Sequence, residues 1–207
     1  MTTKTLLGSL AVLLATVLTS CSKTDMSTGA SEKQINLVQT ALGQARSWHV
    51  SNTFAVNGET SHMQEDLGCP FNYHRVGRLL DSQRKLPDEI IATQKGYYYS
   101  EDERWNVLHP PPNDYCKDGP NAGAFPLAET LEVLKRRTTL KKAETQSIDG
   151  ASCREFDFVG VESPREKVGS LCIDEQTNLP FEFRYRKDVY RYSKWNEPVT
   201  LEPPPGL

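Results

Sequence analysis

The chain lacks most of the patterns that announce chemistry. None of its four histidines, His49, His62, His74 and His109, belongs to a His-Glu-x-x-His helix, and His62-Met63-Gln64-Glu65 has the wrong spacing for one. No serine sits in a Gly-x-Ser-x-Gly elbow. There is no Cys-x-x-Cys, and Cys69 with His74 is without the companion ligands a zinc site requires. Cys116 could serve as a nucleophile beside His109 only if the fold brought the two together. The carboxylates fall at wet positions, Glu155 and Asp157 along a strand and Glu101-Asp102-Glu103 in a turn. The reading is of a protein that is not an enzyme and that carries no cofactor and no metal. A basic excess is missing too: the formal net charge is -3, which gives nucleic acid nothing to grip. No stretch reaches the roughly 20 apolar residues that span a bilayer, and low complexity is confined to short proline runs.

What is present begins with an apolar run from Leu6 to Leu18, preceded by a single lysine, Lys4, and followed by small residues. That order is the layout of a secretory signal. The run ends in Leu18-Thr19-Ser20-Cys21, which resembles a bacterial lipobox, and polar residues Ser22-Lys23-Thr24-Asp25 follow at once. Residues 1–20 are thus expected to be a lipoprotein signal peptide. Cys21 becomes the lipidated first residue, a membrane anchor on the periplasm-facing side of a bacterial envelope, with residues 21–31 as a flexible tether rich in Ser, Thr and Gly. Ser22 after the anchor, by resemblance to enteric sorting rules, implies the outer membrane rather than the inner.

Four further cysteines remain, Cys69, Cys116, Cys153 and Cys172, an even number suited to two disulfides in an oxidising compartment. Strands at Cys153 to Val159 and Val168 to Ile173 flank a turn at Glu162-Ser163-Pro164-Arg165. A hairpin that sets Cys153 opposite Cys172 puts both on one face and leaves Phe156, Phe158, Leu171 and Ile173 on the other. Cys153 is therefore expected to pair with Cys172 and, by elimination, Cys69 with Cys116.

Residues 32–207 are of single-domain size, with 37% hydrophobic and 25% charged residues in the whole chain. Ser31 is placed as the N-cap of a first helix running to about Ser47, with Ile35, Val38, Leu42 and Ala45 on its apolar face. From His49 the period shifts to two. Val50, Phe54 and Val56 alternate with Ser51, Thr53 and Ala55 up to the hairpin signal Asn57-Gly58. Further strands are expected at Phe71 to Leu80, Ile90 to Thr93, Tyr97 to Ser100 and Arg104 to Leu108. The prolines after His109 then end strand structure, and a long loop passes Cys116. A second helix follows Pro126 over Leu127 to Arg137, with Lys135, Arg136 and Arg137 favouring the negative end of its dipole. The last third is a meander: Leu140 to Ile148, Asp149-Gly150, Cys153 to Val159, Val168 to Asp174, and then Phe181, Phe183 and Tyr185 followed by Tyr190 and Tyr192, each alternating with charged or polar residues.

So many strands beside two helices call for a sheet that curls over them. The fold class is mainly β (α+β): a strongly curved antiparallel sheet forming an open half-barrel, with two helices against its concave side. A β-sandwich would leave an amphipathic mid-chain helix little to cover.

Two segments carry a family resemblance. Ile173-Asp174-Glu175-Gln176-Thr177-Asn178-Leu179-Pro180 resembles an Ile-Asp-x-x-Thr-x-Leu-Pro turn between strands, and Tyr192-Ser193-Lys194-Trp195-Asn196-Glu197-Pro198-Val199 resembles a following Tyr-Ser-x-aromatic-Asn-x-Pro-Val segment. Both are similar to envelope lipoproteins of the LolA/LolB and LppX/LprG type. The resemblance implies an unclosed half-barrel that binds or carries acyl chains, lipids or other apolar ligands, with an envelope protein as a further partner. The same fold with a packed interior would be a structural or assembly lipoprotein without a ligand. Candidate lining residues are Val50, Phe54, Val56, Tyr97, Tyr99, Trp105, Phe156, Phe158, Phe181, Phe183, Tyr190 and Tyr192. A slip of one register would exchange the faces.

Overall fold

A computed structural model of the chain describes residues 28–56, 59–77, 80–81, 84–85, 89–101, 104–108, 127–163 and 165–206. The signal segment, Cys21 and Cys116 lie outside the described residues. The first half contributes α1 (Thr28–Gln44), β1 (Ser47–Val56), β2 (Glu59–Gly68), β3 (Asn72–Val76), the two-residue strands β4 (Leu80–Asp81) and β5 (Arg84–Lys85), β6 (Glu89–Thr93), β7 (Gly96–Glu101) and β8 (Arg104–Leu108). The second half contributes α2 (Leu127–Arg137), β9 (Thr138–Ile148), β10 (Ala151–Gly160), β11 (Lys167–Ile173), β12 (Pro180–Tyr185) and β13 (Asp188–Ser193).

Eleven strands form one antiparallel sheet in the order β8-β7-β6-β3-β2-β1-β13-β12-β11-β10-β9, while β4 and β5 pair apart from it. Each half is a meander, and the two are joined where β1 pairs with β13. The ends of the sheet, β8 and β9, are not paired with each other among the described residues, so the sheet is open. Its concave face carries the two helices.

The helices form because their apolar residues recur at helical spacing, and each buries that stripe. On α1, Ile35, Val38, Leu42 and Ala45 are buried, and on α2, Leu127, Leu131 and Leu134. Polar contacts tie the helices together: Gln39 donates to the Ala128 carbonyl at 3.3 Å, and Lys135 Nζ reaches Asn36 Oδ1 at 2.9 Å and Glu32 at 3.5 Å. Arg136 bonds Glu132 one turn back at 3.2 Å. Lys135 of the basic cluster thus ties α2 to α1 while Arg136 bonds within α2, and both suit the negative end of the α2 dipole.

Several boundaries differ from the sequence reading. α1 begins at Thr28, inside the stretch assigned to the tether, and Ser31 is not its cap. The Ser31 hydroxyl is buried and accepts a hydrogen bond from the Leu140 amide of β9 at 3.1 Å, a long-range partner invisible to local pattern. The helix ends at Gln44, and β1 starts at Ser47. The strand expected over Phe71 to Leu80 is only Asn72–Val76, since Gly77 turns the backbone to φ +126° where a Cβ would lie 2.5 Å from the His62 carbonyl. The Asp149-Gly150 turn is as read: both residues have positive φ, 50° and 84°, as a two-residue I′ hairpin demands.

The two motif segments are structural. Asp174 Oδ1 accepts hydrogen bonds from the Gln176 and Thr177 amides and the Thr177 hydroxyl, at 2.9, 2.7 and 2.9 Å. Burial acts to raise the Asp174 carboxyl, but these bonds outweigh it and hold the carboxyl below its usual value. Beyond β13, Trp195 Nε1 donates to the Pro180 carbonyl at 2.8 Å, and Asn196 closes on the start of β1 by accepting from the Arg46 amide and donating to the Ser47 carbonyl, both at 2.9 Å.

The Cys153–Cys172 disulfide is formed on the convex face, with a Cα–Cα distance of 5.6 Å. The half-cystines are not directly opposed as expected. Cys172 stands across from Glu155, so the bridge runs diagonally across the β10–β11 ladder. Cys69 is also disulfide-bonded.

Candidate functional site in the concave interior

Alternation along the strands sends one set of side chains under the helices. From β1 come Trp48, Val50, Asn52 and Phe54, all buried. Register carries that face to Leu67, Glu65 and Met63 of β2, then to Tyr73 and Arg75 of β3, and on to Ala92 and Ile90 of β6. In the second half it holds Phe156 and Phe158 of β10, Leu171 and Ile173 of β11, Phe183 of β12, and Tyr190 and Tyr192 of β13.

Most expected lining residues are thus brought together. Val50, Phe156, Phe158, Phe183, Tyr190 and Tyr192 are in the core cluster, Tyr97 and Tyr99 are half-buried against it, and Phe54 is buried nearby. Phe183 links the aromatics, edge-on to Phe158 at 6.2 Å and 6.1 Å from Tyr190. Tyr192 stacks on Trp195 at 5.6 Å, and Trp195 lies 5.9 Å from Trp48. The Val56 side chain lies outside the described residues.

Two expected lining residues are elsewhere. Trp105 stands opposite Ser100, which puts it on the face away from Tyr97 and Tyr99. The tight β7–β8 hairpin sets this register, pairing Glu101 with Arg104, and alternation does the rest. Phe181 is half-buried and outside the core cluster, because β11 steps from Cys172↔Glu182 to Ile173↔Pro180 at a bulge that leaves it without a partner there.

Sequence reading missed a polar group on the concave face. Glu65 and Arg75 are 4% and 8% exposed and stand opposite each other in the β2–β3 register. Tyr73 donates from its phenol to Glu65 Oε1 at 2.6 Å. Asn52, 6% exposed, hydrogen-bonds the phenol of Tyr190, its cross-strand partner, while its Oδ1 has no partner among the described residues. The signal was in the alternation: Asn52 falls in step with Val50 and Phe54, and Glu65 with Met63 and Leu67. Burial dominates the tyrosines, raising Tyr190 to about 12 and Tyr192 well above 10.0, so both phenols stay neutral at physiological pH. Tyr97 is raised by burial against the opposing charge of Arg75.

Leu42 of α1 and Leu127 of α2 close over Trp48, Val50, Asn52, Met63, Glu65, Tyr190, Tyr192 and Trp195. The space left among them is about 10 Å³, room for one water. Larger hollows lie on the outside, one of about 570 Å³ along Lys167, Ser170, Arg184 and Arg186. Also outside the core cluster, His49, Asp66, His74 and Glu89 form a chain, with His49–Asp66 at 2.7 Å and His74–Glu89 at 2.8 Å. Among the described residues no three His, Cys, Asp or Glu converge to hold a metal, and no helix is long and apolar enough to cross a membrane.

No family model matches the chain, and no curated protein matches it in sequence. Solved structures do. The chain is similar to LprF from Mycobacterium bovis at a TM-score of 0.55, with 14% identity over 88% of this chain and 100% of that one. It also matches the Mycobacterium tuberculosis lipoprotein LppX, TM-score 0.46, 14% identity, 85% and 100% covered. A LolA superfamily protein from Nitrosomonas europaea matches at TM-score 0.28, 10% identity, 83% and 94% covered. The likeness to LprF is one of fold, and at that level the resemblance read from the two motif segments holds.

Proposed function

We propose that the chain is a lipid-anchored envelope protein whose concave interior takes up an acyl chain or another apolar ligand. The observation that carries this reading is the construction of the interior. A continuous apolar and aromatic face on an open sheet is covered by two helices, and Leu42 and Leu127 close it at the centre. Shifting that helical layer would offer Trp48, Val50, Tyr190 and Tyr192 to a ligand, as apolar sites with a few placed polar groups do. A diacylated Cys21 at the membrane surface would hold the start of α1 within about 25 Å of it, seven residue steps at full extension. Ligand would then be received or passed on at one membrane, the outer one on the reading of Ser22, or to an envelope protein beside it. A second disulfide, Cys69–Cys116, completes the proposal.

The residual space of about 10 Å³ favours a second reading, a structural or assembly lipoprotein whose interior is permanently filled. Extraction of the protein, purified without detergent after secretion as a Cys21→Ser form, followed by lipid mass spectrometry, separates the two. The carrier reading expects a co-purifying lipid or stoichiometric uptake of a fluorescent acyl probe. Recovery of no lipid together with no uptake supports the filled interior.

A further inference from the structure

Asn52 is a buried amide that lines the enclosed space beneath Leu42 and Leu127, and its oxygen has no hydrogen-bond partner among the described residues. A carbonyl left in this state costs free energy, and native interiors seldom keep one without a use for it. Glu65 lines the same space one step along the sheet: Asn52 stands opposite Met63, and Glu65 follows Met63 on that face. The centre of the apolar interior therefore presents two kinds of acceptor, an amide oxygen and a carboxylate. Among the described residues, no lysine, arginine or histidine lines it. Arg75 stands behind, opposite Glu65 in the adjoining strand and on the same face, where it balances the carboxylate's charge.

This arrangement has a chemical preference. A ligand ending in a carboxylate or phosphate would bring its charge against Glu65, whose own charge already occupies Arg75, in an enclosed space where like charges repel strongly. An ammonium would meet a carboxylate whose charge Arg75 already offsets. A neutral head bearing hydroxyl groups supplies the donor that Asn52 Oδ1 lacks and adds no charge. Resting on the lipid-binding reading above, we infer that the polar end of the ligand is an uncharged, hydroxyl-bearing group of the kind a monoacylglycerol carries, and that Asn52 is the residue that selects it. The chain of such a lipid would run along the Trp48, Tyr192 and Trp195 side, and its hydroxyls would take the water-sized space when the helices part.

The test uses the mature chain with Cys21→Ser and displacement of a bound fluorescent acyl probe by monooleoylglycerol, oleate and oleylamine, each below its aggregation concentration. Wild type is expected to bind monooleoylglycerol at least about tenfold more tightly than either charged lipid, the ratio that one satisfied buried hydrogen bond provides. Asn52→Leu, similar in size and apolar, gives up the hydrogen bond to Tyr190 and is expected to melt at a lower temperature; measured below that temperature, it should bring the three lipids to within about threefold of one another. Oleate or oleylamine binding as tightly as monooleoylglycerol in wild type overturns the inference alone, with no variant needed. Undiminished selectivity in Asn52→Leu overturns it as well, leaving Asn52 as a site for one water. Failure of wild type to bind the probe or any of the three lipids overturns the lipid-binding reading and this inference together.

Discussion

Asn52 and Tyr190 face each other across the β1–β13 ladder, the pairing that joins the first meander of the sheet to the second. Their hydrogen bond sits at the seam, on the buried side, beside the enclosed space beneath the helices. Integrity of the half-barrel and the chemistry of its interior therefore meet in one residue pair.

The seam makes stability depend on alkaline pH. Burial, aided by the charge of Asp188 and opposed by the Asn52 bond, lifts Tyr190 from 10.0 to about 12, and burial likewise holds Tyr192 well above 10.0. In the unfolded chain these phenols ionise near 10.0, so between there and about 12 the unfolded state holds fewer protons than the folded one. Stability is full below the unfolded value and declines as pH rises through this window. Urea midpoints should be level up to about pH 9.5 and fall by pH 11, and Tyr190→Phe should flatten part of that fall. A level profile in wild type through pH 11 would contradict the burial of these phenols.

Acid acts on the opposite face. Glu182 is 4% exposed there, with Arg184 Nε at 2.5 Å and Arg191 Nε at 2.9 Å. Burial alone would raise its carboxyl, but the hydrogen bonds and charges of the two arginines prevail and hold it below 4.5. Its stabilising contribution is thus present above 4.5 and lost as pH falls through the lower folded value. Glu182→Gln should cost about 1 to 2 kcal/mol at neutral pH, a figure reduced because both arginines are half exposed. The gap from wild type should narrow in thermal melts at about pH 3, and a gap that persists undiminished there would assign the loss to packing.

The Cys153–Cys172 bridge joins β10 to β11 with a sequence separation of 19. Replacing both cysteines by alanine should cost about 2 to 4 kcal/mol in denaturant unfolding, by the chain-entropy account. Both half-cystines are buried, so a thiol reagent with reductant should modify them only as the protein unfolds. Rapid labelling of the folded, reductant-treated protein would count against this bridge as the buried clamp of the hairpin.

Anchoring is tested in growing cells. Labelled palmitate should enter the wild-type protein and not a Cys21→Ser form, which should appear in the soluble fraction with an unchanged melting temperature. Absence of label in wild type removes the lipid anchor from the account.

Much of the architecture was legible because it rests on period. Leu127 to Arg137 reads as α2 to the residue, and the aromatic alternation through Phe156, Phe158, Phe183, Tyr190 and Tyr192 marks the buried face of the second meander. What escaped depends on partners distant in the chain. Ser31 resembles a cap until Leu140 is found against it, and Trp105 resembles its aromatic neighbours until the β7–β8 hairpin sets its register. The polar centre was hidden differently. Asn52, Glu65 and Arg75 lie at inward positions of strands whose composition is polar, and only the pairing of those strands shows which of their polar residues turn away from water.

The central claim, that a lipid enters between helices and sheet, is tested most directly by fluorescence. Trp48 and Trp195 line the enclosed space, and Trp105→Phe removes the tryptophan on the other face of the sheet. A monoacylglycerol brominated along its chain should then quench most of the remaining emission at saturation, and its unbrominated counterpart should not. Emission that stays unchanged while the brominated lipid is bound would contradict the account, because the ligand would then lie somewhere other than the concave interior.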